Sequence, residues 1–281
     1  IMTISSTKPI LNLAESLLSF STSFARARRE QVFYFSVLTL GSLMGSFITE
    51  PAAITVAAMI LKSHFFDRKP SEIFKYVTLA VLFVNVSIGG TLMPYAAPPV
   101  FVVASQWSWG APFLLKAFGY KAVVAVILNA SLALFILRHE LSTFGSVVNP
   151  AALLKSAKVP FGLVALHLVF MALVIAYSRS LPVLILIFAS FWLMTNQTKN
   201  YQYPLKFKEG LLVAFFLWGL MTLGEFQSWW LSSALHSIQS HTLFLGATVL
   251  TAFLDNAALT YLGTQVPDLS EAFKYLLVAG A

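Results

Sequence analysis

Apolar residues come in long unbroken blocks rather than alternating with polar ones, which predicts helices and not barrel strands. Several blocks reach the roughly 17–25 residues that cross a bilayer as helix. Residues 31–61 form the first block, interrupted midway by Thr49-Glu50-Pro51. Residues 73–104 form the second, interrupted between Ser87 and Pro99 by two glycines and three prolines at Gly89-Gly90, Pro94 and Pro98-Pro99. Uninterrupted stretches follow at about 121–137, 160–177, 181–195 and 210–224. A block at 242–262 is interrupted by Asp255-Asn256, and a last one starts near Glu271. The pattern predicts an all-α polytopic membrane protein with discontinuous transmembrane helices.

The interrupted blocks repeat each other. GSLMGSFITEPAAIT at 41–55 aligns with GATVLTAFLDNAALT at 246–260, which sets Glu50 against Asp255 and Thr55 against Thr260. Further on, Ser71-Glu72-Ile73-Phe74-Lys75-Tyr76 aligns with Ser270-Glu271-Ala272-Phe273-Lys274-Tyr275. Chance similarity between apolar segments matches Leu and Ala; it seldom matches an acid and a Ser-Glu-x-Phe-Lys-Tyr string in the same order. The counterpart of the Gly-Gly-Thr segment would begin near residue 286, so the chain is expected to be a fragment of a longer protein, missing sequence at both ends.

Charge changes the picture of the interrupted blocks. Arg26, Arg28 and Arg29 precede the first, and Lys62, Arg68 and Lys69 follow it. A single crossing would put these clusters on opposite sides; a re-entrant hairpin with its tip at Thr49-Glu50-Pro51 puts both in the cytoplasm. The block at 242–262 has no Lys or Arg between 209 and 273, so as a hairpin it enters from outside. The two repeats then have opposite orientation, the inverted-repeat architecture of many secondary transporters. The expected organisation is an N-terminal cytoplasmic or interfacial segment at 1–30, then a first-repeat transport core at 31–110 with hairpin 31–61 and broken helix 73–106. Connecting and scaffold helices occupy 111–224. A second repeat at 225–281 holds hairpin 242–262 and the start of a broken helix at 271–281. The expected location is the bacterial inner membrane, crossed several times.

Composition excludes other classes. Hydrophobic residues make up 58% and charged residues only 10% of the chain, against about 25% charged in soluble domains. There is no cysteine, hence no disulfide, thiolate metal site or thiol catalysis. The net charge of +7 belongs with cytoplasmic loops rather than with nucleic-acid binding. No nucleophile–base pair, metal-ligand cluster or phosphate loop supports an enzyme.

The candidate chemistry sits at the interruptions. Helix ends freed at Ser87–Pro99 can coordinate an ion or an anionic group, with Ser87, Gly89, Gly90, Thr91, Tyr95 and Pro98 around them. Glu50 lies 19 residues into an apolar block. An ionised carboxylate at that depth costs about 2.5 kcal/mol or more and usually marks a transport pathway. Carboxylates suit hard cations such as Na+ and can exchange a cation for a proton. Glu50 and Asp255 are therefore the candidate Na+ ligands, with Thr49, Thr55, Asn256 and Thr260 beside them. Each acid could equally be a helix N-cap at its turn. His167, mid-span, reads as a hydrogen-bonded structural residue before a proton relay. His236 and His241 lack the company a metal needs. Trp107, Trp109, Trp229 and Trp230 read as interface anchors.

SIGGTLMPYAAPPV, at residues 87–100, resembles the Gly-Gly-Thr…Pro-Pro signature of the ion transporter superfamily of arsenite pumps, citrate and dicarboxylate carriers and sodium/proton antiporters. With FITEPAAIT and FLDNAALTYLG, the chain resembles more narrowly a bacterial Na+/H+ antiporter family of that superfamily. The resemblance implies a scaffold domain and a transport domain, the latter with two oppositely oriented hairpins and two broken helices around a midplane site, and a homodimer through the scaffold. Carboxylate carriers of the superfamily tend to show Ser-Asn-Thr at the hairpin tips. Here the tips are acidic, and Val100 stands where an Asn would follow the Pro-Pro pair. The expected function is cation/proton antiport, Na+ for H+, with the lipid bilayer and a small cation as partners and no cofactor. The alternative is a carrier of small organic acids or of an oxyanion such as arsenite.

Overall fold

A computed structural model describes residues 2–21, 29–144, 159–178, 180–227, 229–231, 233 and 240–281; among these there is no strand. The N-terminal segment is built into the helical core. Helix α1 (Met2–Ser5) buries Ile4 and Ser5, and α2 (Lys8–Ser21) buries Ile10, Ala14 and Leu18, a stripe at helical spacing.

The first interrupted block is a closed helical hairpin. Its first arm is α3 (Arg29–Ser36), a π-turn (Val37–Gly41) and α4 (Gly45–Ile48); its second arm is α5 (Glu50–His64). Small residues let the arms approach: a Cβ on Gly45 would lie 3.4 Å from the Ala53 Cβ, and one on Gly41 3.7 Å from the Ala57 Cβ. At the base, Phe33 packs on His64 with ring centroids 4.2 Å apart. Thr49 makes the reversal at φ 75°, ψ 149°. Pro51 falls in the first turn of α5, where its missing N–H has no helical partner to lose.

The second block folds as the helix-breaking residues require. Helix α6 (Glu72–Gly89) starts on a Ser71 cap, passes through a 3₁₀ turn (Gly90–Leu92) and stops. Met93 and Ala97 are extended, and α7 (Pro98–Gln106) restarts on its two prolines. Gly89 is required by a close approach, since a Cβ there would overlap the Ser42 carbonyl. Gly89→Ala is therefore expected to cost about 1–3 kcal/mol through overpacking, read as a lower thermal midpoint in detergent.

Next come α8 (Ala111–Leu114), a π-turn (Leu115–Gly119) and α9 (Tyr120–Thr143), a helical stretch of 33 residues. It overruns the apolar stretch at 121–137 because Lys116, Lys121 and Arg138 tolerate helix and extend their charges to its ends. α9 runs antiparallel to α6. Glu140 accepts from the Ser71 N–H and hydroxyl, Asn85 donates to the Val126 carbonyl, and Leu92 lies against Gly119. Trp109, expected at an interface, is instead buried between Phe113 and Phe118.

Helices α10 (Phe161–Ala176), α11 (Leu181–Gln197) and α12 (Phe207–Glu225) follow, and then α13 (Ser240–Leu250), α14 (Asn256–Thr264) and α15 (Glu271–Gly280). The repeated Ser-Glu-x-Phe-Lys-Tyr strings make matching helix starts. Ser71 caps the Phe74 N–H at 3.1 Å and Ser270 the Phe273 N–H at 3.2 Å. Lys75 pairs with Glu72, and Lys274 with Glu271, each at 2.7 Å. The segments before these starts differ. α14 packs chiefly on α7 and α12, where the Tyr261 ring covers Gly224 and its hydroxyl donates to the Met221 carbonyl at 2.7 Å. Among the described residues, three stretches are long and apolar enough to cross a membrane: Glu72–Leu92, Ala111–Thr143 and Phe207–Glu225.

Candidate functional site

Glu50 opens α5 directly after the reversal, so its carboxylate leaves the hairpin at the tip and meets the break between α6 and α7. Its Oε1 accepts from the Ser87 hydroxyl at 2.7 Å, and its backbone N–H donates to the Ala96 carbonyl at 2.9 Å. Gly90 lies alongside: a Cβ there would be 3.9 Å from Oε2 and 3.1 Å from the Ala97 Cβ. The Glu50 side chain is half-buried.

Three neighbours hold this geometry. Ser46 donates to the Gly89 carbonyl and accepts from the Leu92 N–H at 3.1 Å, satisfying backbone groups released where α6 tightens and ends. Thr49 is buried, with its hydroxyl 3.3 Å from that of Ser5. Its φ is unusual for a β-branched residue and costs on the order of 1–3 kcal/mol, sustained by the surrounding contacts. Asn85 is fully buried and ties three segments together. Its amide donates to the Leu38 carbonyl in the π-turn at 3.0 Å and to the Val126 carbonyl on α9 at 3.1 Å, and its oxygen accepts from Asn129 at 3.0 Å.

The structure thus brings Glu50, Ser87 and Gly90 together, with Thr49 and Gly89 directly behind them. Thr55, Thr91 and Thr260 turn their hydroxyls back onto carbonyls of their own helices, at Pro51, Ile88 and Asn256. Pro98 opens α7. Asp255 caps α14: its Oδ1 accepts from the Ala257 and Ala258 N–H groups at 2.8 and 3.2 Å. Asn256 is the first residue of that helix. The two acids, equivalent by alignment, therefore make different contacts: one caps its own helix, the other is held by a hydroxyl from a neighbouring one. Asp255→Asn is expected to keep the cap and nearly all the stability, whereas Asp255→Ala should lose about 1 kcal/mol. Comparing their thermal midpoints separates the cap from the charge.

His167 stands apart from this site and is fully buried. Its Nδ1 donates to the Leu163 carbonyl at 2.7 Å, which leaves Nε2 to accept from the Gln202 amide at 3.1 Å. Phe191 meets the ring edge-on at 5.5 Å. His236 lies outside the described residues, as does the side chain of His241.

Sequence reading missed Ser5, Ser46 and Asn85. Ser42, Ser46 and Thr49 do recur at helical spacing in an otherwise apolar arm, and Asn85 is a lone amide in an apolar helix. No such signal marks Ser5, whose role depends on a contact 44 residues away in sequence.

No curated protein and no solved structure matches the chain. A family model described as "Putative Na+/H+ antiporter" matches residues 1–281, the whole of the chain, and the protein belongs to that family.

Proposed function

We propose that this membrane protein exchanges Na+ for H+ and that Glu50 is the group for which the two cations compete. The observation that carries the reading is the Ser87–Glu50 hydrogen bond across the helix break. It sets a carboxylate beside a hydroxyl and the buried backbone of Gly90 in an apolar surrounding. A hard monovalent cation takes such oxygen ligands. A proton neutralises the same carboxylate. The unliganded, charged form is the costly one in a low-dielectric interior, so a carrier that moves only when neutralised returns with the other ion. No covalent chemistry and no cofactor enters this cycle; Na+ and H+ are its substrates.

In this reading the hairpin around Thr49 is re-entrant from the cytoplasmic side, and the segment around Asp255 belongs to an oppositely oriented second repeat. The protein crosses the bacterial inner membrane several times and pairs through its scaffold helices. Asp255, Asn256, Thr55, Thr91 and Thr260 are candidate oxygen ligands elsewhere along the path in this reading. Acidic tips repel anions, so transport of organic acids or arsenite has no support.

The test uses the full-length protein in proteoliposomes. An imposed Na+ gradient is expected to drive proton flux reported by an internal pH dye, with K+ and choline giving little. Equal flux with all three cations, or none with Na+, overturns the proposal.

A further inference from the structure

One face of α11 changes its chemistry along its length. Leu184, Phe188 and Trp192 follow one another at one-turn spacing, and the face continues through Thr195 and Asn196 to Lys199 just past the helix end. The apolar part lines an open groove of about 600 Å3, whose other walls include Ile4, Val174 and Phe207. The polar part lines a cleft of about 430 Å3 shared with Gln202 and Tyr203. Trp192 and Phe207 are walls of both, so groove and cleft adjoin at these two rings and make up a channel along α11. Neither lining contains an acid. A second cation stands close, with the Lys8 ammonium 5.5 Å over the Tyr203 ring.

The dimensions and order fit one phospholipid. The rise from Leu184 to Trp192 is about 12 Å, close to the roughly 15 Å depth of one hydrocarbon leaflet. Tryptophan then stands where indoles gather, at the boundary between chains and headgroups. The Thr195 hydroxyl is donated to the Trp192 carbonyl, and the Asn196 amide and a lysine follow at headgroup depth. Lysines there attract anionic lipid, whereas a zwitterionic headgroup would bring an ammonium of its own into a cationic cleft. We propose that this channel binds one anionic phospholipid, with an acyl chain in the α11 groove and the phosphate in the Lys199 cleft. None of its lining residues contacts the Glu50 carboxylate, and the proposal does not depend on the transport reading.

The test measures lipid retention by native mass spectrometry on the full-length protein in detergent. Phosphatidylglycerol, phosphatidylcholine and glycerol 3-phosphate are offered at equal concentration. Phosphatidylglycerol is expected to be retained at least ~5-fold over phosphatidylcholine and to raise the thermal midpoint, with glycerol 3-phosphate doing neither. Lys199→Glu, an exposed change that leaves the helices intact, should erase the preference; Lys208→Glu, outside the channel, should keep it. Equal retention of the two lipids, a full thermal shift from glycerol 3-phosphate, or an unchanged preference in Lys199→Glu would each overturn the proposal.

Discussion

Glu50→Gln is expected to reduce Na+-driven proton flux in proteoliposomes by at least ~100-fold while leaving the thermal midpoint close to that of the native protein. The amide is nearly the same size as the carboxylate, and its oxygen can still accept from the Ser87 hydroxyl, the contact that positions the side chain. What the substitution removes is the negative charge and with it the ability to hold either a proton or a cation. Glu72→Gln is the matched control. That acid is exposed and paired with Lys75 on the surface of α6, where such a pair is worth about 0–1 kcal/mol. Native flux in Glu50→Gln, with Glu72→Gln also unchanged, would remove Glu50 from the transport cycle and leave its burial unexplained.

The second large effect concerns Asn85. Replacing it with Leu keeps the volume roughly constant and strips three hydrogen bonds at once. The Leu38 and Val126 carbonyls and the Asn129 amide would each lose a partner. With each buried polar group left unmet costing about 1–3 kcal/mol, the combined loss is expected to be on the order of 3–5 kcal/mol. A marked fall in the thermal midpoint would report it. Ser87 stands two residues further along the same helix, so a shift of α6 also withdraws the hydroxyl from Glu50. Asn129→Leu is the comparison: it breaks one bond and leaves the two bonds from Asn85 to the hairpin and to α9 in place. It should therefore cost about 1 kcal/mol and leave transport largely intact. Equal effects from the two substitutions would mean that Asn85 has no special role in setting the register of α6.

The breaks were legible because their cause is local. Gly89-Gly90 and Pro98-Pro99 act on the backbone wherever they stand, and α6 and α7 end and restart within a few residues of them. The hairpin tip was legible for the same reason: an acid followed by proline in an apolar block has few places to go. Helix ends that carry isolated charges were harder to see. Hydropathy falls at Lys116 and Arg138, yet long side chains extend from a helix without ending it, so α9 and its preceding turns run on to 33 residues.

Residue order alone was enough to establish a helical membrane protein, with carboxylates placed at interruptions of apolar blocks, because hydrophobicity, backbone restriction and charge act over a few neighbouring residues. It also paired Glu50 with Asp255, since alignment compares types and positions. It could not tell the two acids apart. That difference arises in three dimensions: Ser87 comes across from another helix to meet Glu50, while the Asp255 carboxylate accepts from N–H groups in the first turn of the helix it caps. Nor could it place Ser5 at the Thr49 reversal, or Asn85 between the π-turn and α9. Contacts between distant residues depend on how the helices pack as a whole, and no single segment encodes them.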